Sequence, residues 1–157
     1  MTFQIHTLPY GDFEPLFDLS DEELSAKGMR RMTVDQSPGT PCRVSMTDAK
    51  VGERVILVNY EHQPENSPYQ ASHAIFVREG AEQATLDIGD VPEVITSRLM
   101  SVRLFDDAHM MIDADVVEGT KVAQAIDAAF ANDAVRYIHL HNAKPGCFSA
   151  SVTRAKG

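Results

Sequence analysis

Tryptophan is absent from this chain, and cysteine occurs only twice, at Cys42 and Cys147. Two thiols make neither a disulfide framework nor a four-ligand zinc site, and in a reducing compartment both are expected to stay reduced. No apolar run approaches the roughly 20 residues that a membrane-spanning helix needs. The opening MTFQIHTLPYGDF lacks the basic and continuously apolar regions of a signal peptide, so a cytoplasmic location is expected. Basic residues are scarce: Lys and Arg number 14 against 23 Asp and Glu, a formal net charge of -9. That balance argues against a general nucleic-acid binder, which needs a basic face to neutralise phosphates, and equally disfavours an anionic membrane surface. The plain consequence of the acidity is solubility. Also missing are GxGxxG, GxxxxGK[ST] and CxxC, the mechanical parts of dinucleotide, nucleotide and thiol-redox sites. With no repeat, low-complexity tract or linker, 157 residues read as one domain spanning 1–157, long enough to bury a core unaided.

What is present is organised around Val55 to Glu79. Two strongly apolar runs, Val55–Tyr60 and Ala74–Val77, flank a polar loop carrying Glu61, His62, Asn66, Ser67, Tyr69, Ser72 and His73. Apolar runs bounded by Pro, Asn and Ser read as strands, and the loop between them sits at a sheet end, where a scaffold presents functional groups. Val55–Tyr60 is apolar on both faces, the pattern of a central strand.

The rest of the chain alternates strands with two helices. Phe3–Leu8 reads as a first strand. Ser20-Asp21-Glu22-Glu23 is a capping box opening a short helix that stops at Gly28. Met29–Val34 reads as a strand and Leu86–Val91 as a short edge strand. Arg98–Phe105 and Met110–Val117 form a hairpin, with Met110, Ile112, Ala114 and Val116 expected on the core face and Asp113 and Asp115 outward. Thr120–Ala131 is the strongest helix, with Thr120 as N-cap and Val122, Ile126, Ala129 and Phe130 at helical spacing. Val135–His141 and Phe148–Thr153 are the closing strands around a Pro145-Gly146 turn. The expected class is α+β: a mostly antiparallel twisted sheet of about six to eight strands with two helices, the longer packed on one face.

Three groups of residues carry chemistry. His139 and His141 lie two apart on a strand, so both imidazoles project from one face. Such a pair binds a divalent transition metal when His62, His73, Glu61 or Cys147 adds a third ligand; the competing reading is two histidines on a solvated face. Glu61 and His62 with Ser67, Tyr69 and His73 form a second group, in which a carboxylate beside imidazoles tunes a general base. There Ser67 reads better as a turn former than as a catalytic group, because no nucleophile elbow surrounds it. In the third, Arg43 either clamps an anionic group in bidentate fashion or pairs with a structural acid. Beside it, Cys42 reads better as a small buried hydrophobe than as an activated thiol, as does Cys147.

Several segments together carry a family likeness. Pro41-Cys42-Arg43, Gly52-Glu53-Arg54, Asn59-Tyr60-Glu61-His62-Gln63-Pro64, Ser67-Pro68-Tyr69, Ile75-Phe76-Val77-Arg78-Glu79 and the run from His141 to Cys147 resemble a small bacterial family labelled only as a domain of unknown function, number twelve-oh-three. The resemblance spans nearly the whole chain and implies no activity. It marks Cys42, Arg43, Glu61, His62, Tyr69, His141 and Cys147 as lying in signature segments; His73 and His139 rest on spacing alone.

Two functions are consistent with these readings. One is an enzyme or binding protein for a small anionic ligand. In it Arg43, Tyr69, His73, Cys42 and Cys147 contact the ligand, Glu61, His62 and His141 handle protons, and a divalent transition metal is an optional cofactor held by His139 and His141. The other is a non-catalytic binding or scaffold module, homodimeric through a sheet edge or the methionine-bearing hairpin. The first requires segments 43, 61–73 and 139–147 to converge; the second lets them scatter.

Overall fold

Segments with clean apolar alternation form strands, as expected from periodicity. The computed structural model describes residues 3–155. Among the described residues there are eight strands and three α-helices: β1 (Phe3–His6), α1 (Asp21–Ala26), β2 (Arg30–Thr33), β3 (Arg54–Gln63), β4 (Ala71–Arg78), α2 (Glu93–Thr96), β5 (Leu99–Phe105), β6 (Met111–Glu118), α3 (Val122–Phe130), β7 (Tyr137–Asn142) and β8 (Phe148–Arg154). The class is α+β. The strands divide into two antiparallel sheets, ordered β1-β8-β7-β5-β6 and β2-β3-β4. No helix among the described residues is long and apolar enough to cross a membrane.

The chain forms two compact units. One takes the described residues of Met1–His6, Glu61–Ser72 and Leu86–Gly157; the other takes Thr7–Tyr60 and His73–Thr85. Neither is continuous in sequence, because β3 and β4 each contribute residues to both.

In the first unit, one face of the five-stranded sheet is apolar. Cross-strand partners share a face, and the register aligns Ile5 with Val152, Val152 with Ile138, Ile138 with Leu104, and Leu140 with both Val102 and Ala150. Helix α3 buries Val122, Ile126 and Phe130, one stripe at four-residue spacing. Its alanines 125, 128 and 129 border a groove shared with Val102, Leu104, Asp113 and Asp115. This placement changes half of the expectation for β6: Asp113 and Asp115 are exposed, as expected, but Ile112, Ala114 and Val116 are exposed too and form no core face. Asp113 and Asp115 lie on the α3 side, paired with Leu104 and Val102, while Ile112 is 41% and Val116 55% exposed. Alternation fixes which residues share a face but not which face is covered, and β6 is an edge strand whose other face is open.

Two further expectations change for local reasons. Leu86–Val91 is irregular, its backbone tied to β1 by Gly89 N–H to the Phe3 carbonyl (2.9 Å) and by the Gln4 side chain to the Leu86 carbonyl (2.9 Å). Thr120 is not the N-cap of α3; it lies in a 3-10 turn, Gly119–Lys121, that leads into the helix. Gly119 donates its N–H to the Arg98 carbonyl at 2.7 Å, and a Cβ there would stand 2.0 Å from the Ile95 carbonyl oxygen. That close approach pulls the helix start past Thr120. At the other end, Arg154 on β8 donates to the Phe130 and Asn132 carbonyls (2.9 and 3.0 Å) and covers the Phe130 ring. A cation there satisfies terminal carbonyls and complements the helix dipole.

In the second unit, α1 opens with the complete capping box: Ser20 Oγ accepts from Glu23 N–H while Glu23 accepts from Ser20 N–H. It ends at Gly28, which takes φ 76°. Strand β3 is central in the three-stranded sheet. Phe13, Leu24, Cys42, Val44, Ile56, Val58, Ile75 and Val77 make the core there.

Candidate functional site

Strand β7 presents Tyr137, His139 and His141 on one face by simple alternation, opposite to Ile138 and Leu140. His139 and His141 are nonetheless buried, 5% and 1% exposed, so the solvated-face reading does not hold. The end of β3 delivers His62, 8% exposed, to the same place. Its ring centroid lies 4.8 Å from that of His141 and 5.6 Å from that of His139, whereas the two β7 histidines stand 6.4 Å apart. One ring nitrogen of His62 is within 4.8 Å of one of His141.

A fourth ring completes the cluster. Phe148 stacks on His62 at 5.1 Å and 8°, with its ring 5.3 Å from His139 and 5.7 Å from His141. Plain alternation along β8 would place Phe148 with Ala150 and Val152 on the α3 side. A register shift between Leu140 and His141 instead pairs His141 with Phe148 and leaves Ser149 as the extra residue. Such a bulge flips the side chains that follow it, and here it turns Phe148 onto the imidazoles.

The turn after β7 sets the orientation of His141. Gly146 takes φ 79°, a left-handed value that glycine adopts without strain. Its N–H bonds the Asn142 carbonyl at 2.8 Å, and its own carbonyl meets His141 Nδ1 at 3.0 Å. A carbonyl only accepts, so Nδ1 carries the proton, and in the neutral ring the lone pair is on Nε2. An imidazole anchored through one nitrogen by a carbonyl is the arrangement found behind metal-ligating histidines.

Burial, then the neighbouring His62 and the Arg103 charge, push the His139 imidazole down to about 3, so it is neutral near pH 7. Its Nδ1 is buried and has no hydrogen-bond partner among the described residues. Arg103, opposite His139 in the register, is itself lowered by burial and donates Nε–H to Ser101 Oγ at 3.2 Å.

The other sequence candidates lie in varied settings. Glu61 alternates to the opposite side of β3 from His62 and is exposed. Tyr69 is 37% exposed, its ring edge-on to Phe105, and its N–H bonds Ser67 Oγ at 3.1 Å, which makes Ser67 a turn former. Cys147 is half-buried, and its Sγ meets the Asn142 amide at 3.5 Å. In the second unit, His73 is half-buried on β4. Cys42 is buried there and accepts the Arg78 N–H on Sγ at 3.3 Å. Arg43, 1% exposed, donates through Nη1 to the Pro41 carbonyl at 2.6 Å.

Sequence reasoning overlooked a hydrogen-bonded group next to the imidazoles. Tyr137 Oη accepts from Gln63 Nε2 at 2.8 Å and lies 2.9 Å from His109 Nδ1, while His109 Nε2 is 3.5 Å from Glu65 Oε2. Phe105 stacks on Tyr137 at 5.1 Å, and the Tyr137 and His139 rings are 5.3 Å apart. The alternation that links His139 and His141 already includes Tyr137; His109 carries no comparable signal.

No curated protein and no solved structure matches the chain. A family described as "Protein of unknown function (DUF1203)" matches residues 39–154, a span holding every ring of the imidazole cluster, and the chain belongs to that family.

Proposed function

We propose that the protein binds a divalent transition metal at the imidazole cluster, with His62 and His141 as ligands, and uses it to hold or transform a small ligand. The observation that carries this reading is the pairing of the two ring nitrogens within 4.8 Å, with the lone pair of His141 set on Nε2 by the Gly146 carbonyl. Metal–imidazole bonds of about 2.0–2.1 Å let one ion span nitrogens up to about 4 Å apart, so small ring movements suffice. Nitrogen donors favour zinc, copper, nickel or iron over magnesium or calcium. His139 and Phe148 then act as walls that hold the ligand rings in place, and exposed Glu61 stays outside the site.

The test is metal binding by purified protein stripped with chelator and titrated with zinc or cobalt. One equivalent is expected to bind, with His62→Ala and His141→Ala each weakening affinity by at least about 100-fold. At a hundredfold excess over Kd, loading is expected to stabilise the wild type by about 2.7 kcal/mol in thermal unfolding. The remaining donors named by the sequence, His73 and Cys147, are compared as His73→Ala and Cys147→Ser to identify a third ligand. Absence of stoichiometric binding, or unchanged affinity in both His62→Ala and His141→Ala, overturns the proposal.

A further inference from the structure

We propose that Glu65, His109 and Tyr137 form a proton relay, in which Tyr137 exchanges a proton with a protic ligand bound beside His139 and Glu65 is the solvent end. Where that ligand sits rests on the metal reading above; the order of hydrogen bonds does not.

Donor chemistry sets one bond of the relay. The Gln63 amide nitrogen can only donate, so Tyr137 Oη accepts from it; the relay assigns the phenolic hydrogen to His109 Nδ1, 2.9 Å away. His109 then carries its own proton on Nε2, facing the Glu65 carboxylate. Gln63 is 1% exposed, a buried amide whose hydrogen bond occupies one acceptor site of Tyr137 Oη. Glu65 and His109 are 49% and 34% exposed, so the chain of groups runs from the interior to water.

The backbone supports the same assignment. His109 sits in the β5–β6 turn at φ 61°, a left-handed conformation that costs a non-glycine residue about 1–2 kcal/mol. Asp106 holds this turn by accepting the N–H groups of Ala108 and Met110 at 2.9 and 3.0 Å. A glycine would relieve the strain, yet the position holds the imidazole that reaches Tyr137. At the inner end, His139 Nδ1 is a buried polar atom with no hydrogen-bond partner among the described residues, 95% of its residue covered. That atom marks where the ligand is received. Burial, with Glu65 and Asp106 nearby, holds Tyr137 above the usual phenol range despite the Gln63 hydrogen bond, so it rests as a phenol.

The proton count closes. As the ligand's X–H bond breaks, a new Tyr137 O–H bond forms; the original phenolic O–H breaks as His109 Nδ1–H forms. His109 Nε2–H passes to the Glu65 carboxylate, which releases the proton to water. Tyr137 is again a phenol, and His109 is left as its other tautomer. A transfer back inward, from Glu65 to the ligand, restores the starting tautomer. A relay that alternates in this way suits a reaction that first removes a proton from its substrate and later returns one.

Nitrogen-15 NMR of histidine-labelled, metal-free protein tests the hydrogen-bond order. The expected result is neutral His109 protonated on Nε2, with a spectrum that changes in Tyr137→Phe. An Nδ1–H tautomer, or a His109 signal indifferent to Tyr137→Phe, overturns the relay. In the cobalt-loaded protein, the visible spectral change after a pH jump is expected to slow at least about tenfold in His109→Asn, a residue that tolerates the left-handed turn, and to recover with free imidazole. Cobalt affinity should stay unchanged. Normal rates in a protein that binds cobalt overturn the relay alone. Failure to bind cobalt overturns the metal reading, and the NMR result then decides the relay.

Discussion

His139 shows how much of a residue's setting its spacing along a strand encodes. Its spacing from His141 placed both rings on one face, and the structure agrees. Burial decides what the ring does, and burial was not legible in the spacing. In the unfolded chain the imidazole takes up a proton near 6.5, and in the folded protein near 3. Between these values the unfolded state binds more protons. Stability from this group is thus fully present above about pH 6.5 and falls with pH by up to about 1.4 kcal/mol per unit until about pH 3. Urea melts of metal-free protein from pH 8 to pH 5 should show this decline, and His139→Gln should flatten it; an unchanged slope in the variant assigns the proton uptake elsewhere. Gly119 is the opposite case, a residue with no signal in the sequence. Because its missing Cβ leaves room for the Ile95 and Arg98 carbonyls, Gly119→Ala should cost about 3 kcal/mol, read as a lowered unfolding midpoint. A shift within the error of the melt would show that the 95–98 segment simply moves aside.

At the scale of elements, legibility follows how local the cause is. The capping box of α1, the glycine that ends it and the Pro145-Gly146 turn are all encoded within a few residues, and each forms where expected. Phe148 is different. Its face depends on one extra residue in β8, and alternation counted along that strand alone gives the wrong side. The core face expected on β6 was misread for a related reason, since the helix that borders the strand lies further along the chain. The structure also explains how so exposed an edge persists. Asp113 accepts the N–H of Ala114 at 2.9 Å and Asp115 that of Val116 at 2.8 Å. These carboxylates occupy backbone donors that an incoming strand would use and add like charge against a second copy. Replacing both in Asp113→Ala/Asp115→Ala should raise self-association, seen as a mass that climbs with concentration in light scattering. A mass identical to wild type at every concentration would show that the edge is guarded by something else.

For the whole molecule, family membership spans most of its length without naming an activity. The two units were beyond sequence reading because the chain passes between them four times, after His6, within β3, within β4 and after Thr85. Long-range pairing was equally hidden. The first strand could be recognised, but nothing in it names β8 as its neighbour, aligned from Phe3 with Arg154 to His6 with Ser151. That pairing has a kinetic consequence. The β5–β6 and β7–β8 hairpins need only short loops to close, whereas β1 must find a partner across almost the full length of the chain, at a far larger entropic cost. We therefore predict that β1 zips onto an already assembled sheet as a late event in refolding. Pulse-labelled hydrogen exchange would then find the amides of residues 3–6 protected after those of β7, and simultaneous protection would rule out that order.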